Sequence, residues 1–158
     1  AEKVVIGSEA VINPNFVKKA AESFGSSTIV VCADIKKKKF GERKVWTING
    51  TKESKFRPKE YAKMIEAYGA GEIILQSINN DGTMQGYDIQ LIKNISKEVK
   101  IPLVALGGAG EINDLKLVFY KGNANGLAAG SLFVYNSKMK GVLLNYPDKK
   151  DIKNLFSL

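Results

Sequence analysis

Three turns in this chain carry glycine or hydroxyl side chains and lie between an apolar run and a helix-like stretch. In chain order they are Asn80-Asp81-Gly82-Thr83, Gly107-Gly108-Ala109-Gly110 and Gly130-Ser131, called here the first, second and third glycine turns. Free backbone N–H groups at the start of a helix attract anions, and glycine lets the backbone approach an anion closely. Turns of this kind at the same end of successive strands build a composite phosphate pocket.

The composition limits which side chains can do proton chemistry. The chain has 158 residues and no histidine, which excludes Ser-His-Asp and Cys-His catalysis and histidine metal sites. Acid–base work therefore falls to Asp, Glu, Lys or Tyr. The single cysteine, Cys32, excludes an internal disulfide framework and suits a reducing cytoplasm. We predict neither a metal nor a cofactor.

The net charge of +8 fits an anionic partner: a phosphorylated ligand, a nucleic acid or a membrane surface. The lysines are spread along the chain except in Lys36–Lys39, which we interpret as a solvated loop; the alternative is a field that steers an anionic substrate. No apolar run approaches the ~18–20 residues that span a bilayer. The chain opens without a signal-peptide pattern. We predict a small-molecule ligand, no nucleic acid, no membrane and a cytoplasmic location.

Apolar periodicity predicts an alternation of strands and helices along the chain. The predicted strands are Val4–Ile6, Thr28–Ala33, Glu72–Ile78, Ile101–Ala105 and Gly126–Gly130. The predicted helices start after Asn13 and at Arg57, Asp88, Ile112 and Asp151, the last running to Leu158. Within the long polar stretch Lys36–Ser54, Asn49-Gly50 predicts a small hairpin.

Five strand-then-helix units without a linker predict a single α/β domain over residues 1–158. Their strands are parallel and their crossovers right-handed. Two architectures fit this order: an open doubly wound sheet, or part of a (β/α)8 barrel. A complete barrel needs ~200–250 residues.

Four motifs resemble the cyclase subunit of imidazole glycerol phosphate synthase. In chain order they are Lys3–Ser8 with Asn13-Pro14, Asn79–Asp88, Leu106–Gly110 and Ala128–Phe133. They agree in order and approximate spacing over essentially the whole chain. The resemblance implies a partial TIM barrel, with about five units that correspond to units 4–8 of that family.

The resemblance also implies a reaction. The family closes an imidazole ring on a ribonucleotide with a phosphate at each end, using ammonia from a partner glutaminase. Two aspartates, on the first and fifth strands, act as acid and base. Asp34 matches the fifth-strand aspartate, and the first-strand one belongs to units outside this sequence. A carboxylate near apolar surface can have a raised pKa and shuttle protons.

Further roles are implied at both ends of the strands. Gly82, Gly107, Gly108, Gly130 and Ser131 would hold one phosphate, with Asp81 orienting the loop or bonding a substrate hydroxyl. Gly7 and Ser8 would lie near the other phosphate. Lys3 and Glu72 match charged residues that gate ammonia at the N-terminal barrel face, where the glutaminase subunit docks.

Several positions depart from the family pattern and keep other functions open. Gly7, Asn49, Gln76 and Asn79 differ on the expected active-site face. The tail Lys140–Pro147 looks like relatives that work beside an amidotransferase in sugar amidation for surface polysaccharide. One alternative is therefore a paralogue that channels ammonia to such an enzyme. Another is a non-catalytic unit that binds phosphate or self-associates through two open sheet edges.

Overall fold

The computed structural model describes residues 1–39, 41–136, 141–142, 144 and 146–156. The strands are β1 (Val4–Ile6), β2 (Ile29–Lys37), β3 (Arg43–Thr47), β4 (Lys52–Glu53), β5 (Glu72–Ser77), β6 (Leu103–Leu106), β7 (Gly126–Ala128), β8 (Tyr135–Asn136) and β9 (Gly141–Val142). The helices are α1 (Ser8–Ile12), α2 (Pro14–Phe24), α3 (Pro58–Ala67), α4 (Ile89–Ser96), α5 (Ile112–Gly122), α6 (Ser131–Val134) and α7 (Lys149–Phe156).

The parallel part of the sheet contains β1, β2, β5, β6 and β7, and each strand pairs with the next one in this order. Their order in space therefore follows their order in the chain. A doubly wound sheet reverses its strand order at a switch point. Right-handed crossovers without a reversal place all connecting helices on one face. Of the two architectures that the sequence allowed, the structure is an arc of a (β/α)8 barrel.

Burial shows the same one-sided layering. In β2, Val31, Ala33 and Ile35 are buried, whereas Cys32 and Asp34 are only half-buried. β5 and β6 show the same alternation. The buried face packs against α3, α4 and α5, whose buried apolar residues are Tyr61, Ile65, Leu91, Ile92, Ile95, Leu115 and Val118. The opposite face, called here the inner face, carries Cys32, Asp34, Lys36, Ile74, Gln76, Val104 and Leu106.

Local signals in the sequence account for the helix ends. Pro14 lies at the first position of α2, and Gly25, with φ of 86°, follows its last residue. Asp88 caps α4 by accepting the Leu91 N–H at 3.0 Å. The guanidinium of Arg43 donates to the Asp88 carboxylate at 2.8 to 3.1 Å. This contact ties the start of β3 to α4.

The structure extends β2 to Lys37, beyond the predicted end at Ala33. The reason is the predicted hairpin, which is present: β3 pairs antiparallel with residues 34–37 of β2, and β4 pairs with β3. Lys36 and Lys37 therefore belong to a strand, and the prediction of a solvated loop was wrong for these two residues. The sequence also missed α1, which is too short to show a helical period.

The end of the chain was predicted in part. α7 occupies Lys149–Phe156, close to the predicted final helix, whose last residue, Leu158, lies outside the described residues. Lys140, Leu143 and Asn145 of the tail motif also lie outside them. Within the described ranges, no helix is long and apolar enough to cross a membrane. Among the paired strands described, β1 and β7 each have one neighbour, so self-association through these edges stays a prediction.

Candidate functional site

Asp34 lies on the inner face of β2, near the carboxyl ends of the parallel strands. Its neighbours in register are Gln76 of β5 and Trp46 of β3. The thiol of Cys32, two residues earlier on the same face, donates to Asp34 Oδ1 at 3.8 Å. Asp34 is therefore a strand residue pointing into the partly open side of the sheet, and not a helix cap or a loop residue.

The surroundings of Asp34 change its proton affinity. Burial raises the pKa of its carboxyl above the ordinary value, the hydrogen bond from Cys32 opposes this increase, and the negative charge of Asp81 adds to it. A carboxyl group with a raised pKa can accept and release a proton closer to neutral pH than an ordinary aspartate. This is the property that a general acid–base residue needs.

The first and second glycine turns are in contact. A Cβ at Gly107 would lie 2.8 Å from the carbonyl oxygen of Ser77 and 3.5 Å from Cβ of Asp81. A Cβ at Gly108 would overlap the carbonyl of Gly86, and the Gly86 N–H donates to the Gly108 carbonyl at 2.8 Å. Both residues of the second turn have positive φ, 95° and 111°. Only glycine fits this approach without strain.

The third glycine turn follows the neighbouring strand at the same edge. Ala128 of β7 pairs with Leu106 of β6, directly before the second turn. The hydroxyl of Tyr87, which follows the first turn, donates to the Ala128 carbonyl at 2.8 Å. The three turns thus end successive strands side by side. Among the described residues, the backbone N–H groups of Gly82 and Gly108 have no acceptor and are available to an anion.

Asp81 is held at this edge by Gln76. The Gln76 side-chain amide donates to Asp81 Oδ2 at 3.1 Å, and Gln76 is also the register neighbour of Asp34. Gln76 therefore lies between the two carboxylates. Its side chain was noted in the sequence as a departure from the family pattern, but this bridging position depends on the pairing of β2 with β5.

Two other departures have local structural roles. The side chain of Asn79 accepts the Lys37 N–H at 2.6 Å and donates to the Lys37 carbonyl at 3.3 Å. Asn79 thereby joins the loop after β5 to the end of β2. Asn49 lies in the hairpin turn with a left-handed φ of 53°. The conformational and hydrogen-bonding demands of the two loops account for both asparagines.

On the β1 side, the hydroxyl oxygen of Ser8 accepts the Ile48 N–H at 2.9 Å, which joins the Gly7-Ser8 turn to the hairpin. A Cβ at Gly7 would have no atom within 4 Å. Gly7 and Ser8 follow β1. They therefore lie on one side of β2, and the three glycine turns lie on the other side.

Sequence reasoning missed Lys36 and Trp46. The ammonium of Lys36 donates to the Gly50 carbonyl at 3.2 Å and lies 4.5 Å from the centre of the Trp46 ring. The only sequence signal was the two-residue spacing from Asp34, which places Lys36 on the same face once β2 is known to continue.

The opposite edge of the sheet holds the predicted ammonia gate. Lys3 Nζ and Glu72 Oε2 are 2.6 Å apart, and their side chains are 52% and 19% exposed. Glu72 begins β5, so this ion pair lies at the amino-terminal ends of the strands, away from Asp34. In the part of the chain that the structure describes, no group of three His, Cys, Asp or Glu residues could hold a metal ion.

Comparison with known proteins identifies the family that shares these features. Residues 1–140 match the family described as histidine biosynthesis protein. The chain belongs to this family. Histidine biosynthesis proteins of this family are TIM barrels, in agreement with the arc of parallel strands and with the resemblance of the four sequence motifs.

Individual relatives in the histidine biosynthesis family cover nearly the whole chain. A Vibrio vulnificus protein named "Putative imidazole glycerol phosphate synthase subunit hisF3" is 42% identical over 99% of this chain and 61% of its own length. A Leptospira interrogans protein named "Putative imidazole glycerol phosphate synthase subunit HisF" is 40% identical over 98% of the chain and 61% of its own length. Imidazole glycerol phosphate synthase subunit HisF of Alkaliphilus metalliredigens is 40% identical over 86% and 54%. The chain thus spans 54 to 61% of the length of these family members.

The contact between Cys32 and Asp34 can be tested by measuring the reactivity of the Cys32 thiol. Burial, and after it the charge of Asp34, raises the pKa of Cys32 to about 12. At pH 8 only on the order of one thiol in ten thousand is then ionised, and alkylation is slow. Asp34→Asn removes the negative charge, so we expect iodoacetamide to alkylate Cys32 about 3- to 10-fold faster. Mass spectrometry gives the rate directly because Cys32 is the only cysteine.

The exposed Asp151 supplies the control for this measurement, as Asp151→Asn leaves the surroundings of Cys32 unchanged. Equal alkylation rates in the wild-type protein and Asp34→Asn would show that the carboxylate does not act on the thiol.

Proposed function

We propose that this protein is a cyclase subunit of imidazole glycerol phosphate synthase, a lyase that closes an imidazole ring with ammonia on a ribonucleotide carrying two phosphates. One observation carries the proposal: Asp34 lies on the inner face at the same edge of the sheet as the three glycine turns. This arrangement supports the proposal because it brings a carboxyl group with a raised pKa and free main-chain N–H groups to the same ends of the strands. The family membership supports this assignment.

In this proposal Asp34 is a general acid–base residue. Its raised pKa lets it take a proton from, or return one to, a nitrogen or oxygen of the substrate at moderate pH. The amides of Gly82 and Gly108, with the hydroxyl of Ser131, hold one phosphate at the ends of β5, β6 and β7. Binding one end of the substrate in this way fixes the reacting centre over the inner face, which lowers the entropic cost of the reaction.

Asp81 has a different role because a carboxylate does not bind phosphate. Its Oδ2 accepts from Gln76, which leaves Oδ1 for a substrate hydroxyl and keeps the first glycine turn in place. Its charge also raises the pKa of Asp34. Asp81 therefore affects the proton affinity of Asp34 without transferring the proton itself. The second phosphate belongs near Gly7 and Ser8, on the other side of β2.

Ammonia enters from the amino-terminal edge in this proposal. The partner is a glutaminase subunit that docks there, and Lys3 with Glu72 forms the gate. Their side chains form an ion pair at 2.6 Å, and this pair is the closed form of the proposed gate. A lysine that is half exposed can swing away at a small free-energy cost, since surface ion pairs contribute only about 0–1 kcal/mol.

The test is a steady-state assay of the whole protein with the bis-phosphorylated ribonucleotide and an ammonium salt. We expect saturable formation of imidazole glycerol phosphate and the aminoimidazole carboxamide ribonucleotide, detected by chromatography of the products. The reaction without ammonium is the blank. Absence of turnover by the whole protein, with ammonium at saturation, contradicts the proposal.

A second candidate is a family member that channels ammonia to an amidotransferase in sugar amidation. Two observations favour it: the Gln76 amide, on the register neighbour of Asp34, donates to Asp81, and Gly7 offers no side chain to a ligand. The assay above separates the two functions. Lack of ring closure, together with co-purification of a glutaminase and a sugar amidotransferase, supports the second candidate.

A further inference from the structure

Lys36 is the last inner-face residue of β2, two positions beyond Asp34. It is half-buried, unlike a lysine of a solvated loop. Its position is also defined: the ammonium donates to the Gly50 carbonyl at 3.2 Å and lies over the Trp46 ring at 4.5 Å. A contact with an aromatic face restrains the lysine and partly compensates for its lost hydration.

The charge of Lys36 has no carboxylate partner among the described residues, whereas two neighbouring lysines do. Lys38 pairs with Glu53 at 3.0 Å, and Lys44 pairs with Glu42 at 3.4 Å. A half-buried ammonium that contacts one carbonyl and one aromatic ring keeps donors for another acceptor, since an ammonium has three. Its environment is therefore suited to an anion.

Ser8 meets the same hairpin turn that holds Lys36. Gly50 accepts from Lys36, and the Ile48 N–H donates to the Ser8 hydroxyl oxygen at 2.9 Å. Thr51 fixes the turn further by donating from its hydroxyl to the Ile48 carbonyl at 2.6 Å. The Lys36 ammonium and the Ser8 hydroxyl thus contact the backbone of the same turn, at two residues that are two positions apart. Among the described residues, the Ser8 hydroxyl donates to no acceptor, so its proton is available to a ligand.

We propose that Lys36 is a phosphate-binding residue of this site. Its positive charge and the Ser8 hydroxyl together hold the second phosphate of the ligand. This inference rests on the proposed function. The three glycine turns bind their phosphate through backbone amides, whereas this subsite uses an ammonium on the other side of Asp34. A ligand with a phosphate at each end then lies across Asp34, with its reacting centre over the carboxyl.

Inorganic phosphate is the probe, and two-dimensional 15N NMR of the protein reads the two subsites separately. The amides of Gly82 and Gly108 report on the glycine turns. The amide of Ser8 and the indole N–H of Trp46, the only tryptophan, report on the Lys36 subsite. Phosphate titrated into the wild-type protein shifts both sets of signals, each with its own dissociation constant.

In Lys36→Met we expect the dissociation constant from Ser8 and Trp46 to increase about 10-fold or more, the size of a lost charge-assisted hydrogen bond. The constant from Gly82 and Gly108 stays within about 2-fold. Lys36→Arg retains the binding, and Lys38→Met, which removes a nearby charge that is paired with Glu53, leaves both constants unchanged. Lys36→Gln repeats the measurement with a polar side chain if the methionine variant does not fold.

The outcomes separate the inference from the function on which it rests. If phosphate moves the glycine-turn signals but Lys36→Met and Lys36→Gln leave the Ser8 and Trp46 response intact, the Lys36 subsite is wrong and the proposed function stands. An equal loss of phosphate affinity in Lys38→Met also overturns the Lys36 subsite, because any nearby positive charge would then have the same effect. If phosphate moves no signal of Gly82 or Gly108 in the wild-type protein, the proposed function itself fails.

Discussion

Replacing Asp34 with asparagine is expected to lower kcat for the proposed ammonium-driven ring closure by about 10²- to 10⁴-fold, the contribution that general acid–base catalysis makes. Asparagine keeps the shape of the side chain but cannot take up a proton. KM changes little, because in our proposal the glycine turns and Lys36 hold the phosphates. Steady-state kinetics of the whole protein measure both constants.

Asp34→Asn also makes the folded state more stable at neutral pH. The pKa of Asp34 is raised in the folded protein, so folding disfavours its ionised form. Stability is then highest below the unfolded-state pKa, decreases as the pH rises to the raised folded-state pKa, and stays lower above it. Asparagine carries no such penalty. We expect a gain below about 1 kcal/mol in urea unfolding at pH 7, given the partial solvent exposure, and none at pH 3.

Asp151→Asn is the control for both measurements, since it removes an exposed carboxylate far along the chain. A wild-type kcat in Asp34→Asn would remove Asp34 from the mechanism. A loss of kcat that comes with a loss of stability would point to misfolding in place of a missing proton carrier.

Gly108→Ala is expected to destabilise the protein by about 2–4 kcal/mol and to abolish the proposed phosphate binding at the glycine turns. Gly108 has φ of 111°, and a Cβ there would overlap the Gly86 carbonyl. That carbonyl also accepts from the Asn80 side chain at 2.9 Å, so it is not free to move. The alanine therefore displaces the second turn from the first. Urea unfolding gives the stability, and the phosphate titration gives the binding.

Gly130→Ala is the matched variant, the same substitution in the third turn. Gly130 has φ of −108°, which any residue adopts, and a Cβ there would meet no atom within 4 Å. We expect a change within about 0.5 kcal/mol and unaltered phosphate binding. Similar losses in both variants would mean that the close contact of the first two turns does not build the site.

Much of the site could be predicted because its signals are local. The glycine turns, the apolar runs before them and Asn49-Gly50 can each be interpreted from a few consecutive residues. Turn conformation and strand or helix periodicity depend mainly on such short segments. The hairpin and the position of Asp34 near a strand end follow from this kind of information.

The surroundings of each side chain could not be predicted in the same way. Gln76 lies between Asp34 and Asp81 only because β5 pairs with β2 in one register. Asn79 follows β5, and its amide binds the backbone of Lys37, 42 positions away in the sequence. Such contacts are set by the pairing of distant segments, and a shift of one residue would move each side chain to the other face.

The sequence by itself determined the strand-then-helix order, the three glycine turns, the acid–base candidate and the family resemblance. The tertiary structure decided between a doubly wound sheet and an arc of a barrel, through strand order and the side on which the helices lie. It also decided that Lys36 belongs to the inner face, because β3 pairs with residues 34–37 and prolongs β2. Local propensity acts within a few residues, whereas burial and charge pairing depend on which distant segments meet.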